Sequence, residues 1–382
     1  MKICGIICEY NPFHNGHQYL LNEAKRQTNA DAIVCIMSGH FVQRGEAAII
    51  DKYTRAKHAV FGGADAVIEL PAAYATSNAE LFAKGALHIL SSIPDCSYLC
   101  FGAENANAEK ILHAAKLLLN EPGEVSKKIK DSLANGISYA KARANAWQGI
   151  IEEDYLSSPN NILAIEYTKA LLQKNSSIQL VPITRIGSGY SDTSLSNNFS
   201  SASAIRKGIK EGENVSLNLP DFVSNDLPNS LENTLESLEK LIFLNKKPEE
   251  IADVCDCSEG LEYAFKRCSE QNIPDFVQEL TSTRYTSSRI RRIALQSLLN
   301  ITKKEILDGL KTSLYLNVLA AKKERADVLS ALAKSSFPLL TKYIPPENFS
   351  TNARKIYETD LYSDKIFCLA KNLQIKKGNI FY

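Results

Sequence analysis

Residues 3–17 read ICGIICEYNPFHNGH: an apolar run, Ile3–Cys8, followed at once by a turn that carries His14, Gly16 and His17. A short apolar run bounded by turn residues predicts a buried strand, and the amphipathic stretch near 16–27 predicts the helix after it. A strand that feeds a helix in this way puts main-chain amides and the positive end of the helix dipole at the carboxyl edge of a sheet, where anionic groups bind. In open α/β sheets that edge is also where ligands sit. Gly16 permits close approach of backbone to a ligand, and Pro12 stiffens the turn.

The rest of the N-terminal half repeats the pattern. Apolar runs at Ile3–Cys8, Ala32–Met37, Ala66–Leu70, Tyr98–Phe101 and Ile178–Ile183 alternate with helical stretches near 16–27, 51–61, 78–92, 107–120, 138–148 and 160–174. Strands alternating with helices predict a doubly wound parallel sheet. Asp51 is expected to cap one helix, Ser77-Asn-Ala-Glu80 has the pattern of a capping box, and Pro71 stops the run before it. Residues 187–201 are rich in Ser, Asn and Gly and read as a surface loop, with a helix starting at about Ala202. From about 216 the pattern turns to helical segments such as Leu231–Leu244, Glu259–Glu270 and Ser287–Leu299. The expectation is an α/β domain over 1–215 and a mostly helical domain over 216–382, in keeping with ~100–200 residues per domain.

Composition sets outer bounds. The chain has 382 residues, 45% hydrophobic and 23% charged, as in ordinary globular proteins. A net charge of +1 gives no global field for a polyanion. No apolar run of membrane-spanning length occurs, and the N-terminus lacks the pattern of a signal peptide, so a cytoplasmic protein without a membrane partner is expected. The nine cysteines are scattered, several within strand candidates, and read as free thiols in a reducing compartment. Cys255-x-Cys257 has no second pair or histidine near it, so no structural metal is expected.

All six histidines, His14, His17, His40, His58, His88 and His113, fall in the first third of the chain, so histidine chemistry belongs there. His14 and His17 are three residues apart and can face one phosphate. In phosphoryl or nucleotidyl transfer the protein mainly positions groups and stabilises charge, so the lack of an evident nucleophile pair is no objection. Neither a P-loop lysine motif nor a GxGxxG follows the first strand. By itself a His-x-x-His pair reads equally as a metal half-site or a structural pair.

Context decides between these readings. The order Pro12-Phe-His14-Asn-Gly16-His17 after strand one resembles the HxGH signature of the nucleotidyltransferase superfamily, which includes adenylyltransferases and class I aminoacyl-tRNA synthetases. Ser200-Ser-Ala-Ser203-Ala-Ile-Arg206 resembles the Ser-Ser-x-x-Ile-Arg element with which that superfamily holds a triphosphate at another helix N-terminus; Arg206 offers a planar fork for phosphate. With Met37–Gly45 (MSGHFVQRG), Phe101–Glu104, Pro159–Leu163, Arg185–Gly187 and, more loosely, Arg284–Arg292, these motifs resemble the tRNA(Met) cytidine acetate ligases. Cys8 and Glu9 depart from the wider superfamily, many of whose members have a small pair such as Gly-Ser there.

The resemblance implies a nucleotidyltransferase (Rossmann-like) fold and a ligase that activates acetate with ATP, releases pyrophosphate, and acetylates the exocyclic amine of the wobble cytidine of elongator tRNA(Met). It implies His14, His17, Ser203 and Arg206 as catalytic residues. The ATP site would comprise Ile7, Cys8, Glu9, Tyr10, Asn11, Pro12, Phe13, His14, Asn15, Gly16, His17, Gln18, Tyr19, Leu20, Gly102, Asn160 or Asn161, and Arg185. Gly102 also reads simply as a tight strand end, and the asparagines as helix caps. Gln43 and Arg44 can face substrate or be solvated surface.

The segment from Arg284 to Arg292 holds four arginines and no acid. Arg284, Arg289, Arg291 and Arg292 are the expected tRNA contacts, with Lys322, Lys323 and Arg325 as an extension. Magnesium is expected with ATP as a neutraliser of its phosphates, and no protein partner is inferred. The alternatives are a small-metabolite adenylyltransferase of the coenzyme A or NAD synthesis type, which leaves the helical domain idle, and a non-catalytic RNA-binding protein with a nucleotide switch.

Overall fold

The computed structural model describes all residues except 137–138, 188–194, 196–197, 229–234, 274, 343–346, 348 and 375–379. Parts of the expected loop 187–201 and of the expected helix Leu231–Leu244 lie outside the described residues. The strands are β1 (Ile3–Cys8), β2 (Ala32–Ser38), β3 (Phe41–Val42), β4 (Glu46–Ala47), β5 (Ala66–Leu70), β6 (Cys96–Ala103), β7 (Gln179–Thr184), β8 (Leu316–Ala321), β9 (Leu339–Leu340) and β10 (Ile380–Phe381). The main sheet runs β10-β8-β5-β2-β1-β6-β7, with β9 beside β8, while β3 and β4 form a separate antiparallel hairpin.

The stretch from β5 to β7 is wholly parallel. Strand order reverses at β1, which lies between β2 and β6, so the crevice at the carboxyl ends of β1 and β6 is the topological switch point. Both faces of β1 are buried by the period-two alternation of its side chains: Ile3 and Ile7 enter one core, Cys4 and Ile6 the other. This explains why a parallel strand reads as an unbroken apolar run. All nine cysteines are free, and most are buried.

The helices that place the site begin where the sequence puts caps, with one shift. Asp51 accepts from the amides of Tyr53 and Thr54, both at 3.1 Å, and starts the Lys52–Phe61 helix. The expected capping box at Ser77 is corrected by one residue: Asn78 accepts from the Leu81 amide and starts the Ala79–Leu90 helix, while the Ser77 hydroxyl donates back to the Ala73 carbonyl. The Gly123–Ala134 helix was not anticipated.

The second half departs further from expectation. It is helical through the Lys303–Gly309 helix, and Phe243, Phe265, Phe276, Ile290 and Ile293 form a small core of their own there. The chain then returns to the main sheet. β8 pairs antiparallel with β5, and the Thr351–Ala370 helix brings Asp364 to 2.7 Å from the Lys52 ammonium. A boundary at 216 thus separates segments that share one sheet. The run LNVLAA at 316–321 is buried throughout, as a strand inside a sheet must be.

Candidate active site

His14 is the N-cap of the Asn15–Thr28 helix, and its Nδ1 accepts from the Gly16 amide at 3.1 Å. The His14 amide donates in turn to Nδ1 of His17 at 3.3 Å, so the two histidines close a reciprocal capping box. Their rings stack with centroids 3.6 Å apart. Burial, with Arg185 and Arg206 nearby, pulls the His14 pKa down to about 3; burial, His14 and Arg185 hold His17 well below its usual value. Both rings are therefore neutral, and with each Nδ1 accepting, the proton of each sits on Nε2. Gly16 leaves room for this arrangement: a Cβ there would lie 3.0 Å from the His14 ring and would push it by a few tenths of an ångström.

The second motif meets the first directly. Ser201 caps the Ala202–Glu211 helix through the Ala204 amide at 3.1 Å. Arg206, one turn into that helix, donates to the Asn11 carbonyl at 2.8 Å and to the Ser203 hydroxyl at 3.4 Å. Two helix N-termini and three arginines, Arg44, Arg185 and Arg206, thus border a single cavity of about 390 Å³ at the switch point. Fully buried Arg55 staples the loops beneath, donating to the carbonyls of Glu9, Ser38, Gly39 and Ile50, and burial lowers its pKa to about 10. Nothing in the sequence around Arg55 signalled this role.

Of the expected site residues, Ile7, Cys8, Glu9, Tyr10, Asn11, His14, Gly16, His17, Tyr19, Leu20, Gly102, Asn160, Arg185, Ser203 and Arg206 line this cavity. Pro12, Phe13, Asn15, Gln18 and Asn161 do not. Phe13 is fully buried with its ring against Tyr10, and Asn15 donates to the Asn198 and Leu217 carbonyls. Asn160 and Asn161 are placed differently: Asn161 is buried, with its side chain on the Asn105 amide and the Asp154 carbonyl. Asn160 donates to Glu104 at 2.6 Å at the cavity wall. Phe82 and Tyr167 also line the wall with no signal in the sequence to mark them, and so does Phe101, which opens the Phe101–Glu104 motif but was not among the expected site residues. Gln43 and Arg44, left open in the sequence, line it as well.

The arginine segment lies where the helix Ser287–Leu298 was expected, capped by Thr286. Its arginines are engaged: Arg284 with Glu259 at 2.9 Å, Arg291 with Glu46 at 2.8 Å, Arg292 with Asp256 at 3.0 Å, and Arg289 with the Asp256 carbonyl at 2.9 Å. Side-chain exposure falls from 65% at Arg284 to 13% at Arg292, so the first faces solvent and the last serves packing. Lys322 and Arg325 bind Asp65, just before β5, and so lie at the amino end of that strand, away from the cavity. They do not extend the arginine surface.

A doubly wound sheet whose switch-point cavity is edged by a histidine capping box and a serine–arginine helix start defines a nucleotidyltransferase. The family model described as HIGH Nucleotidyl Transferase matches residues 1–379. A protein named tRNA(Met) cytidine acetate ligase from Thermoanaerobacter sp. (strain X514) is 40% identical over 391 residues, covering 98% of this chain and 97% of its own length. One of the same name from Clostridium botulinum (strain Hall) is 38% identical over 387 residues, covering 95% and 94%. Among solved structures, Thermotoga maritima TmcAL bound with alpha-thio ATP matches with a TM-score of 0.86 at 29% identity, covering 100% of this chain and 99% of that one. The chain belongs to the tRNA(Met) cytidine acetate ligase family.

Proposed function

We propose that this protein activates acetate with ATP as acetyl-adenylate, releasing pyrophosphate, and transfers the acetyl group to the exocyclic amine of the wobble cytidine of elongator tRNA(Met). The observation that carries the reading is the meeting of the two motifs at one cavity, with Arg206 bonded to the Asn11 carbonyl beside two neutral histidines, on a chain alike along its whole length to proteins of that name.

In this reading the triphosphate lies across the N-termini of the helices Asn15–Thr28 and Ala202–Glu211. His14 and His17 donate from Nε2 to phosphate oxygens, and Arg206 and Arg185 offset the charge that develops as pyrophosphate leaves. Neutral donors suit the task, because they hold phosphate oxygens without losing a proton to them. The adenosine end occupies the wall formed by Gly102 and Asn160. Magnesium arrives with ATP as part of the substrate, shared among its phosphates. Arg284 and Arg291 offer the exposed part of the tRNA surface; their carboxylate partners form solvent-screened surface pairs, which phosphates can displace. The site of the reaction is the cytoplasm, where ATP and tRNA are found.

The decisive experiment is mass spectrometry of tRNA nucleosides after incubation with ATP and acetate. Acetylated cytidine is expected only when ATP, acetate and tRNA(Met) are all present. Pyrophosphate exchange that ignores acetate would instead favour a small-metabolite adenylyltransferase.

A further inference from the structure

Acyl transfer to an amine needs a place for one proton, and neither histidine can take it. Nδ1 of each already accepts a main-chain amide, which leaves a protonated Nε2. The carboxylate of Glu104 is also committed, with one oxygen on Asn160 at 2.6 Å and the other on the Asn161 amide at 3.0 Å. Glu9 differs. It lines the cavity, and Oε1 accepts the Gln43 amide at 2.7 Å. Nearby Arg55 and Arg206 direct their guanidinium groups to main-chain carbonyls and the Ser203 hydroxyl. Among the described residues no ion pair to Glu9 is present.

We propose that Glu9 is the catalytic base of the acyl-transfer half-reaction, held by the β3–β4 hairpin on the side of the cavity from which the acceptor amine enters. The proposal rests on the ligase reading above. The four residues Gln43 to Glu46 run from this carboxylate to the arginine helix: Gln43 binds Glu9, Gln43 and Arg44 line the cavity, and Glu46 pairs with Arg291 at 2.8 Å. Between them Gly45 has φ +74°, and a Cβ on it would come within 2.4 Å of the Arg292 amide. In this proposal an acceptor seated on that helix enters the cavity past Glu9.

The step balances without further reagents. The amine nitrogen bonds to the acetyl carbonyl carbon, and the carbon–oxygen bond to AMP breaks with its electron pair on the phosphate oxygen. The amine proton passes to Oε2 of Glu9 and then to water. Burial raises the Glu9 pKa, opposed by the Gln43 amide and by Arg206, Arg55 and Arg44, which brings the carboxylate nearer the range useful to a base.

The test uses the full chain with Glu9→Gln and Glu9→Asp. Acetate-dependent ATP–pyrophosphate exchange reads the first half-reaction. Single-turnover acetylation of tRNA(Met), with rapid quench for enzyme-bound acetyl-adenylate, reads the second. In Glu9→Gln, transfer is expected to fall ~10²–10⁴-fold relative to that variant's own exchange rate. Acetyl-adenylate should accumulate with tRNA present, and Glu9→Asp should recover part of the transfer. Equal losses in both half-reactions, or no accumulation, overturn the proposal. If Glu9→Gln does not fold, Glu9→Asp decides: transfer slowed more than exchange upholds the role, and equal slowing overturns it. A wild-type protein without acetate-dependent exchange is a separate result, since it removes the ligase reading itself.

Discussion

At the scale of single residues, the site works through groups whose protons are fixed by their neighbours. His14 caps a helix with Nδ1 and also lines the cavity, so its two duties can be separated by substitution. Asparagine is as good an N-cap but does not reproduce the imidazole Nε2 donor. His14→Asn is expected to melt close to wild type while acetate-dependent exchange falls ~10²–10³-fold, the usual cost of one such donor. His14→Ala should lose the exchange and, in addition, ~0.5–2 kcal/mol of stability with the cap. Equal melting and equal exchange in the Asn variant and the wild type would remove His14 from the chemistry. The depressed pKa adds a pH dependence. Folded His14 stays neutral down to about pH 3, whereas the unfolded chain takes up a proton near pH 6.5. Stability from this residue is therefore complete above pH 6.5 and is lost as pH falls, by up to ~1.4 kcal/mol per pH unit. Urea midpoints measured from pH 8 to pH 5 should decline, and His14→Asn should flatten the decline. The residue types of this site were legible in the sequence, but their partners were not. Asn160 and Asn161 could not be told apart because Glu104, which holds one outward and the other by its amide, lies 56 or more positions away.

At the scale of elements, the strand–turn–helix units were readable because each carries its own period, cap and turn residue. Elements too short to have a period were not. β3 and β4 are two residues each, yet the hairpin they form carries Gln43 and Arg44 to the cavity and seats Gly45 on the arginine helix. The tightness of that seat is testable against a second glycine. Gly45 and Gly149 both have left-handed backbones, φ +74° and +78°, but a Cβ at 149 meets nothing within 4 Å, whereas one at 45 meets main-chain atoms of Arg291 and Arg292. Gly149→Ala is expected to cost only the conformational penalty, ~1 kcal/mol. Gly45→Ala should add ~1–3 kcal/mol for overpacking against backbone that cannot rotate away. Chemical denaturation of the two variants side by side reads the difference, and equal costs would show that the hairpin is not clamped. The same seat explains a limit of the arginine pattern: Arg291 and Arg292 lie on the face that meets the hairpin and Asp256, so a charge run in sequence did not translate into four solvent-facing cations.

At the scale of the whole molecule, the chain closes on itself in a way its composition conceals. Helical segments from about 216 onward argued for a second, mostly helical domain, but β8 supplies the strand beside β5, and Asp364 with Glu69 encloses the fully buried Lys52 ammonium at 2.7 and 2.8 Å. His40 and Asn317 complete the cluster, at 2.8 Å to Asp364 and 2.7 Å to Glu69. An apolar run rich in leucine and alanine, set among helices, shows no period that would mark it as a strand, and a long-range ion cluster leaves no local trace at all. The consequence concerns what can fold alone. A fragment ending at residue 215 keeps Lys52 and Glu69 but lacks Asp364, and it exposes the edge of β5, whose Ala66, Val67 and Ile68 are otherwise paired to β8. Breaking a buried pair by removing one partner costs ~3–5 kcal/mol, a large share of the ~5–15 kcal/mol that holds a typical protein folded. An uncovered apolar strand edge is in addition a template for association. The fragment is therefore expected to show no sigmoidal urea transition by near-ultraviolet circular dichroism and to aggregate on concentration, whereas Asp364→Ala in the full chain should fold with a clearly lowered midpoint. A soluble, cooperatively unfolding 1–215 fragment that binds ATP would make the N-terminal α/β unit autonomous and reduce β8 and the Thr351–Ala370 helix to an accessory cover.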